Sequence, residues 1–208
     1  MKIVAGDYKY RKLEIPEGIR PTTEKVREAV FSMISFYIPG AKVLDLFAGS
    51  GSLGLEALSR GAERCWFNEV ERRNFRVLQG NVANCRAEDR AVLYNHDFRK
   101  CLSLIHQEMD IIFLDPPYQS GFYDEAFELF NENGLVKEST IVVAEHLYNN
   151  KLSDTYGKLY KTKEKKYGTI GVDLFTASDL LFIYSGFGKI RKRQGIFYAQ
   201  KRIDRGVF

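Results

Sequence analysis

Asp115-Pro116-Pro117-Tyr118 closes a run of four bulky apolar residues, Ile111-Ile112-Phe113-Leu114, and sets a carboxylate, two rigid rings and an aromatic side chain in consecutive positions. Proline lacks the N–H that a sheet ladder needs and fixes φ, so strand pairing must end here. Such a loop suits an exocyclic amine on a base. That nitrogen is a poor nucleophile because its lone pair is delocalised into the ring. The Asp115 carboxylate and the Pro116 carbonyl can each accept one N–H hydrogen, which concentrates the lone pair on nitrogen and holds the amine against a methyl donor. The prolines fix the carbonyl direction at low entropic cost, and Tyr118 can stack on a base drawn out of its helix or loop. Asp115, Pro116 and Tyr118 are therefore the candidate catalytic residues.

A second group of residues could hold the donor. Asp45-Leu46-Phe47-Ala48-Gly49-Ser50-Gly51-Ser52-Leu53-Gly54 has the glycines for a sharp turn and close backbone approach, with helix N–H groups behind them. Glu69 stands 20 residues after Gly49, where a carboxylate can accept both ribose hydroxyl hydrogens of a nucleoside. Asp97 is placed to meet an adenine amino group or a nearby backbone donor. The expected contacts to an adenosine-containing cofactor are Asp45, Phe47, Ala48, Gly49, Ser50, Gly51, Glu69, Val70, Asp97 and Phe98. Gly49-x-Gly51-x-x-Gly54 with Glu69 also fits a nicotinamide-dependent oxidoreductase. Two features favour methyl transfer: Asp45 inside the strand end, and the Asp-Pro-Pro-Tyr loop, which has no evident role in hydride transfer.

These residues fall at the ends of elements that alternate strand and helix. Lys42–Phe47, Arg64–Glu69, Ala91–Asp97, Asp110–Asp115 and Thr140–Glu145 read as strands. Ser52–Arg60, Arg72–Asn84 and segments near Phe98–Gln107 and Tyr123–Asn133 read as helices. Strands apolar on both faces predict an α/β fold, a mostly parallel sheet covered by helices on both sides, and ligands bind such sheets where strands end and helices begin. Before this core, Ile3–Ile15 reads as a hairpin or arm over residues 1–19. A helix then opens at Thr22 or Thr23, with Val26, Ala29, Val30, Met33, Ile34 and Tyr37 on its apolar face. After it, segments near Lys158–Lys163 and Thr169–Phe175, joined by a Tyr-Gly turn, finish the sheet as a hairpin.

The composition, 45% hydrophobic and 28% charged over 208 residues, is that of one soluble α/β domain of about residues 20–175 with small appendages. No apolar run reaches membrane-spanning length and no signal segment opens the chain, which points to the cytoplasm and to no membrane partner. The three scattered cysteines lack a C-x-x-C pair, so reduced core thiols and no metal site are expected. His96, His106 and His146 are isolated. Net charge is +4, but from Gly186 to Phe208, within a basic extension at residues 176–208, Lys189, Arg191, Lys192, Arg193, Lys201, Arg202 and Arg205 stand against Asp204 alone. A second basic cluster includes Lys9, Arg11, Lys12 and Arg20. Basic ends on a near-neutral body suit a polyanionic partner, and Arg11, Arg20, Thr23 and Arg27 are the candidate phosphate contacts.

With these motifs, the sequence resembles the bacterial 16S ribosomal RNA (guanine-N2)-methyltransferases of the RsmD type from about Lys2 to Phe175. The distinctive pieces are Arg20-Pro21-Thr22-Thr23-Glu24-Lys25-Val26-Arg27-Glu28, the stretch from Phe47 to Arg60, and Asp115-Pro116-Pro117-Tyr118. The resemblance implies a Rossmann-like class I methyltransferase fold, a mostly parallel seven-stranded sheet with an antiparallel last strand and an N-terminal arm. It implies S-adenosylmethionine as cofactor and a guanine of small-subunit rRNA as acceptor, in an assembled or partly assembled subunit. A monomer is expected, with free rRNA and the assembled subunit both open as the substrate. Gly49 and Gly51 match the family's cofactor loop, Glu69 its ribose carboxylate, and Asp115 to Tyr118 its catalytic loop. The arm departs from the pattern: Ile3-Val4-Ala5-Gly6 and Tyr10-Arg11-Lys12-Leu13 stand where paired glycines and a Gly-Arg are usual. The basic extension has no family counterpart. The rival readings are a DNA adenine-N6 methyltransferase, the oxidoreductase above and a catalytically silent RNA-binding protein.

Overall fold

The computed structural model describes residues 1–18, 23–117 and 120–177. Arg20, Tyr118, the Leu180–Tyr184 segment and the basic tail lie outside the described residues. In chain order the elements are α1 (Glu24–Met33), β1 (Lys42–Asp45), α2 (Ser52–Ser59), β2 (Arg64–Asn68), α3 (Arg72–Cys85), β3 (Ala91–Tyr94), α4 (Phe98–Leu104), β4 (Met109–Leu114), α5 (Phe122–Glu132), β5 (Val136–Leu147), β6 (Thr155–Tyr156), β7 (Leu159–Tyr167) and β8 (Ile170–Thr176). They build one mixed sheet in the order β3-β2-β1-β4-β5-β8-β7-β6. β1 to β5 run parallel, while β8 is antiparallel to both β5 and β7.

The parallel strands are short apolar runs because both faces are covered. On one face Leu44, Ile112, Leu114, Val142 and Ala144 pack under Phe98, Cys101 and Leu102 of α4 and Tyr123, Ala126, Phe127 and Phe130 of α5. The α5 set recurs at helical spacing, and Phe127 stacks on Tyr156 at 4.0 Å between ring centroids. Truncating so enclosed a ring would cost about 3–5 kcal/mol. On the other face Phe31 of α1 lies 5.7 Å from Phe113. Here α2 comes so close to β2 that a Cβ at Gly54 would stand 2.2 Å from the Phe67 ring.

Chain connections jump from β3, on one side of β1, to β4 on the other. This reversal opens a crevice beyond the carboxyl ends of β1 and β4, the place where open α/β sheets bind ligands. The sheet has eight strands rather than seven, because Thr155-Tyr156 folds back on Leu159-Tyr160 as a two-residue edge strand. β5 begins earlier than its hydrophobic pattern predicts. Its polar start carries a bulge between the Met109 and Ile111 pairings, pinned by Thr140, whose hydroxyl donates to the Met109 carbonyl at 2.6 Å.

The N-terminal arm is folded into the same compact unit. Its bridge Lys2–Lys12 makes the expected short antiparallel turn, and it is anchored on buried Glu56 of α2, which accepts the Val4 and Ala5 N–H groups at 2.8 and 3.1 Å. Arg27 corrects the phosphate-contact reading. Its side chain is fully buried, with Nε 3.8 Å from Glu56 and Nη2 donating to the Lys2 carbonyl at 2.6 Å. A guanidinium enclosed in this way ties α1 to the arm and offers nothing to solvent. Helix periodicity sets Arg27 beside the core-facing Val26 and Val30, but burying its charge depends on Glu56 of another helix, which no local pattern reveals.

Candidate active site

Thr23 starts α1, its hydroxyl accepting the Val26 N–H at 3.3 Å. It and Arg11, which donates to the Asn84 carbonyl, remain on the surface or partly so. Neither lines the main cavity.

That cavity, about 440 Å³ in volume, lies at the crevice and is bordered by Asp45, Phe47, Ala48, Gly49, Ser50, Glu69, Val70, Asp97, Phe98, Asp115 and Pro116, all predicted from sequence. Of the expected cofactor set only Gly51 does not border it. Gly51 acts from behind: at φ 77° it takes a left-handed conformation as the N-cap of α2. A Cβ there would stand 2.4 Å from Leu78, so the turn can sit tightly on α3 only with glycine.

Each anchor of the glycine loop comes from a different element. Glu69, at the end of β2, accepts the Gly49 N–H at 2.9 Å with one oxygen and the Glu71 N–H at 2.8 Å with the other. A carboxylate has about four acceptor positions; with the two N–H groups and the Asn74 side chain bound, at least one remains for a ligand's hydroxyl group. Burial raises the Glu69 pKa, and the backbone donors and the Asn74 side chain oppose the shift. Asp45, at the end of β1, accepts the Gly54 N–H at 2.9 Å. Gly51 has no side chain to cap α2, so this carboxylate from the neighbouring strand satisfies one of the helix's open N–H groups. Burial pushes the Asp45 pKa up to about 7; the Gly54 N–H works against the shift and the Glu69 charge adds to it.

The other wall is aromatic. Phe47, Phe98 and Phe122 form a cluster with centroid separations of 5.0 to 6.2 Å. Arg99 lies over Phe98 and Phe122 and pairs with Asp97 and Glu125, tying α4 to α5. Asp97 is the N-cap of α4, accepting the Arg99 N–H at 2.9 Å. Val70 projects at the rim as an exposed apolar side chain, 62% accessible. Phe122, Asn68, Asn74 and Gly18 also border the cavity. No sequence pattern marked them, although Phe122 lies only four residues after Tyr118. At its far side stand Asp115 and Pro116, where β4 ends. Behind them Glu145 is buried at the end of β5, and its carbonyl accepts the Tyr123 hydroxyl at 2.8 Å.

The residues present thus fit an adenosine-type ligand. They offer a glycine turn held by two carboxylates, one of them with acceptor capacity to spare, an apolar rim, and a further carboxylate with a rigid carbonyl across the cavity. Among the described residues no cluster of His, Cys, Asp or Glu could hold a metal ion, and no helix is long and apolar enough to cross a membrane. The three cysteines are buried free thiols.

Comparison with known proteins agrees with this architecture. The family model described as Conserved hypothetical protein 95 matches residues 1–176. The chain is 37% identical over 180 residues to the Bacillus subtilis protein YlbH, covering 84% of this chain and 98% of that protein. It is 33% identical over 177 residues to Ribosomal RNA small subunit methyltransferase D of Escherichia coli K12, covering 84% and 89%. The solved Escherichia coli protein yhhF superposes with a TM-score of 0.78 at 33% identity, over 86% of this chain and 98% of its own. With a family model matched along its whole described length and relatives a third identical over nearly all of theirs, the chain belongs to the Conserved hypothetical protein 95 family, alongside the ribosomal RNA small subunit methyltransferases D.

Proposed function

We propose that this protein transfers a methyl group from S-adenosylmethionine to the exocyclic N2 of a guanine in 16S ribosomal RNA. The observation that carries the reading is the convergence of two carboxylate-bearing strand ends on one cavity. Glu69, Gly49 and Ser50 line it from the β1 and β2 ends, and Asp115-Pro116 lines it from the end of β4. The relatives named as ribosomal RNA methyltransferases support it over an oxidoreductase built on the same glycine loop.

In this reading Glu69 holds the ribose hydroxyls, Val70 and Phe98 flank the adenine, and Asp97 stands near its amino edge. Asp45 and the glycine turn form the floor. Bound there, S-adenosylmethionine supplies a methyl group that is electrophilic at carbon. Asp115 and the Pro116 carbonyl accept the two N–H hydrogens of the guanine amine, orienting it and raising electron density on nitrogen. Tyr118 supplies a stacking face for the extruded base. After transfer the nitrogen is cationic and releases a proton readily to Asp115 or water, so no strong general base is needed.

The RNA approaches along the same sheet edge. β5 ends there and the β7–β8 turn lies beside it, bringing Lys151 and Lys166 over the Tyr148 ring at 3.5 and 4.3 Å. Lys163 and Lys165 add further basic side chains on the opposite face of β7. Arg11, Thr23 and Arg20 are the further candidate contacts. Arg27 is withdrawn from that set.

The test is methylation of small ribosomal subunits that lack the modification, using labelled S-adenosylmethionine and nucleoside mass spectrometry. N2-methylguanosine is the expected product. Labelled duplex DNA with unlabelled subunits would instead establish the adenine-N6 reading.

A further inference from the structure

Asn81 of α3 is 3% exposed and touches no part of the cavity, yet it is bonded to two segments that do. Its Nδ2 donates to the Ser50 carbonyl at 2.9 Å and to the Glu14 carbonyl at 2.9 Å. Its Oδ1 accepts the Glu14 N–H at 2.9 Å. Only this orientation of the amide works: reversed, it would turn an acceptor toward two carbonyl oxygens and a donor toward an N–H.

Ser50 lies between two glycines in left-handed conformations, Gly49 at φ 53° and Gly51 at φ 77°. Such a turn has little conformational preference of its own, so its shape is imposed from outside. Glu69 fixes the Gly49 N–H, and the Ala48 carbonyl takes the Gly51 N–H at 2.7 Å. The Ser50 carbonyl is fixed by Asn81. The same amide grips Glu14 through both its backbone groups, and four residues later Gly18 borders the cavity. Arg73, also on α3, pairs with Glu17 along the way.

We infer that Asn81 is a positioning residue for the cofactor: it sets the Ser50 carbonyl and thereby the glycine turn, and it makes the shape of that turn depend on how the N-terminal arm is seated. The inference rests on the cofactor reading above. A buried amide that satisfies three backbone groups leaves all of them unpaired or opposed when it is altered.

The experiment measures S-adenosylhomocysteine binding by titration calorimetry, together with methyl-transfer kinetics, on the full-length protein. Asn81→Asp keeps the side-chain shape but turns a carboxylate oxygen toward two carbonyls. It should raise Kd about tenfold or more, equivalent to the loss of one to two buried hydrogen bonds. kcat at saturating cofactor should stay within about twofold of wild type. Asn84→Ala is the control. Asn84, one turn along α3, holds the arm through the Lys12 carbonyl at 2.7 Å but leaves all three bonds of Asn81 in place, so its Kd should rise far less than that of Asn81→Asp. Glu14→Pro removes the arm's N–H without touching α3. It should weaken binding in the same direction and add little to Asn81→Asp in the double variant, and it serves as the test if Asn81→Asp does not fold. A Kd within twofold of wild type in both Asn81→Asp and Glu14→Pro, or an equal loss in Asn84→Ala, overturns the inference. Failure of the wild-type protein to bind S-adenosylhomocysteine would instead overturn the cofactor reading on which it depends.

Discussion

One oxygen of Glu69, at the end of β2, accepts the Gly49 N–H at 2.9 Å from the turn after the neighbouring β1, so the carboxylate assigned to the ribose also shapes the loop beside it. Removing it should therefore cost more than one ligand contact. Glu69→Ala should weaken S-adenosylhomocysteine binding about 100-fold, as charge-assisted hydrogen bonds are worth roughly 1.5–3 kcal/mol each. kcat at saturating cofactor should be nearly retained. Calorimetry with single-turnover kinetics separates the two, and an unchanged Kd would remove Glu69 from the site.

Asp115 predicts the opposite split. Its partner acceptor, the Pro116 carbonyl, belongs to the backbone and survives mutation, but one acceptor cannot orient both amine hydrogens. Asp115→Ala should lower kcat about 100-fold or more, the scale on which single charge-stabilising groups act, with cofactor affinity within a few-fold of wild type. Near wild-type turnover in this variant would mean that the amine is oriented by other groups.

Arg27 bears on folding. Its guanidinium is buried against Glu56, which also accepts Arg60 Nε at 2.7 Å and two arm N–H groups. Burial depresses the Arg27 pKa, and the Glu56 charge acts against this. Breaking a buried pair costs about 3–5 kcal/mol where the partner charge is left uncompensated; here Arg60 and the two arm N–H groups still hold Glu56, which puts the cost at the low end of that range. Arg27→Ala should accordingly lower the urea midpoint strongly, while Arg27→Met, which refills the volume, should lower it less. If neither variant changed RNA affinity at a temperature where it remains folded, the burial of this side chain would have its functional counterpart.

What the sequence made legible was the part governed by local rules. The alternation of apolar runs and periodic helices locates every parallel strand, and the glycine turn, Glu69 and Asp115 follow from their places at strand ends. What escapes it depends on pairing across distance. His146 reads as isolated, yet its Nε2 lies 3.2 Å from the buried Asp173 on β8, which Lys161 of β7 also reaches at 2.9 Å. Nothing within a few residues of His146 signals those partners. Asn81 likewise reads as an ordinary polar position on α3, and Phe122 as the start of a helix. Arg27 is misread for the same reason: its partner Glu56 sits on another helix.

The raised pKa of Asp45 gives stability a pH dependence of defined sign. In the unfolded chain this carboxyl titrates near its ordinary 3.8, in the folded protein at about 7. Between these values the folded state binds more protons than the unfolded one, so its stability is greatest at the low end and is lost as pH rises through 7. The contribution is on the order of a few kcal/mol. Asp45→Asn keeps an acceptor for the Gly54 N–H but cannot titrate. Urea melts of the two proteins from pH 5 to pH 8 should show the wild type losing more stability than the variant. Parallel curves would mean that Asp45 keeps an ordinary pKa.

Lys151, Lys163, Lys165 and Lys166 test which surface meets the RNA. All four belong to the segments that bring β5, β7 and β8 to the catalytic edge. Lys151 is already paired with Glu164, so it has less to gain from a phosphate than the others. Counter-ion release makes the logarithm of affinity fall linearly with the logarithm of salt concentration, with a slope set by the number of phosphates neutralised. Changing Lys163, Lys165 and Lys166 together to Gln should weaken binding of a 16S fragment most at low salt. It should also flatten the slope by about one for each phosphate that is no longer neutralised. Lys151→Gln alone should do little. Cofactor affinity should not move in either case, because none of these residues borders the cavity. An unchanged slope in the triple variant would move the RNA to the arm, where Arg11→Gln would then have to produce the effect.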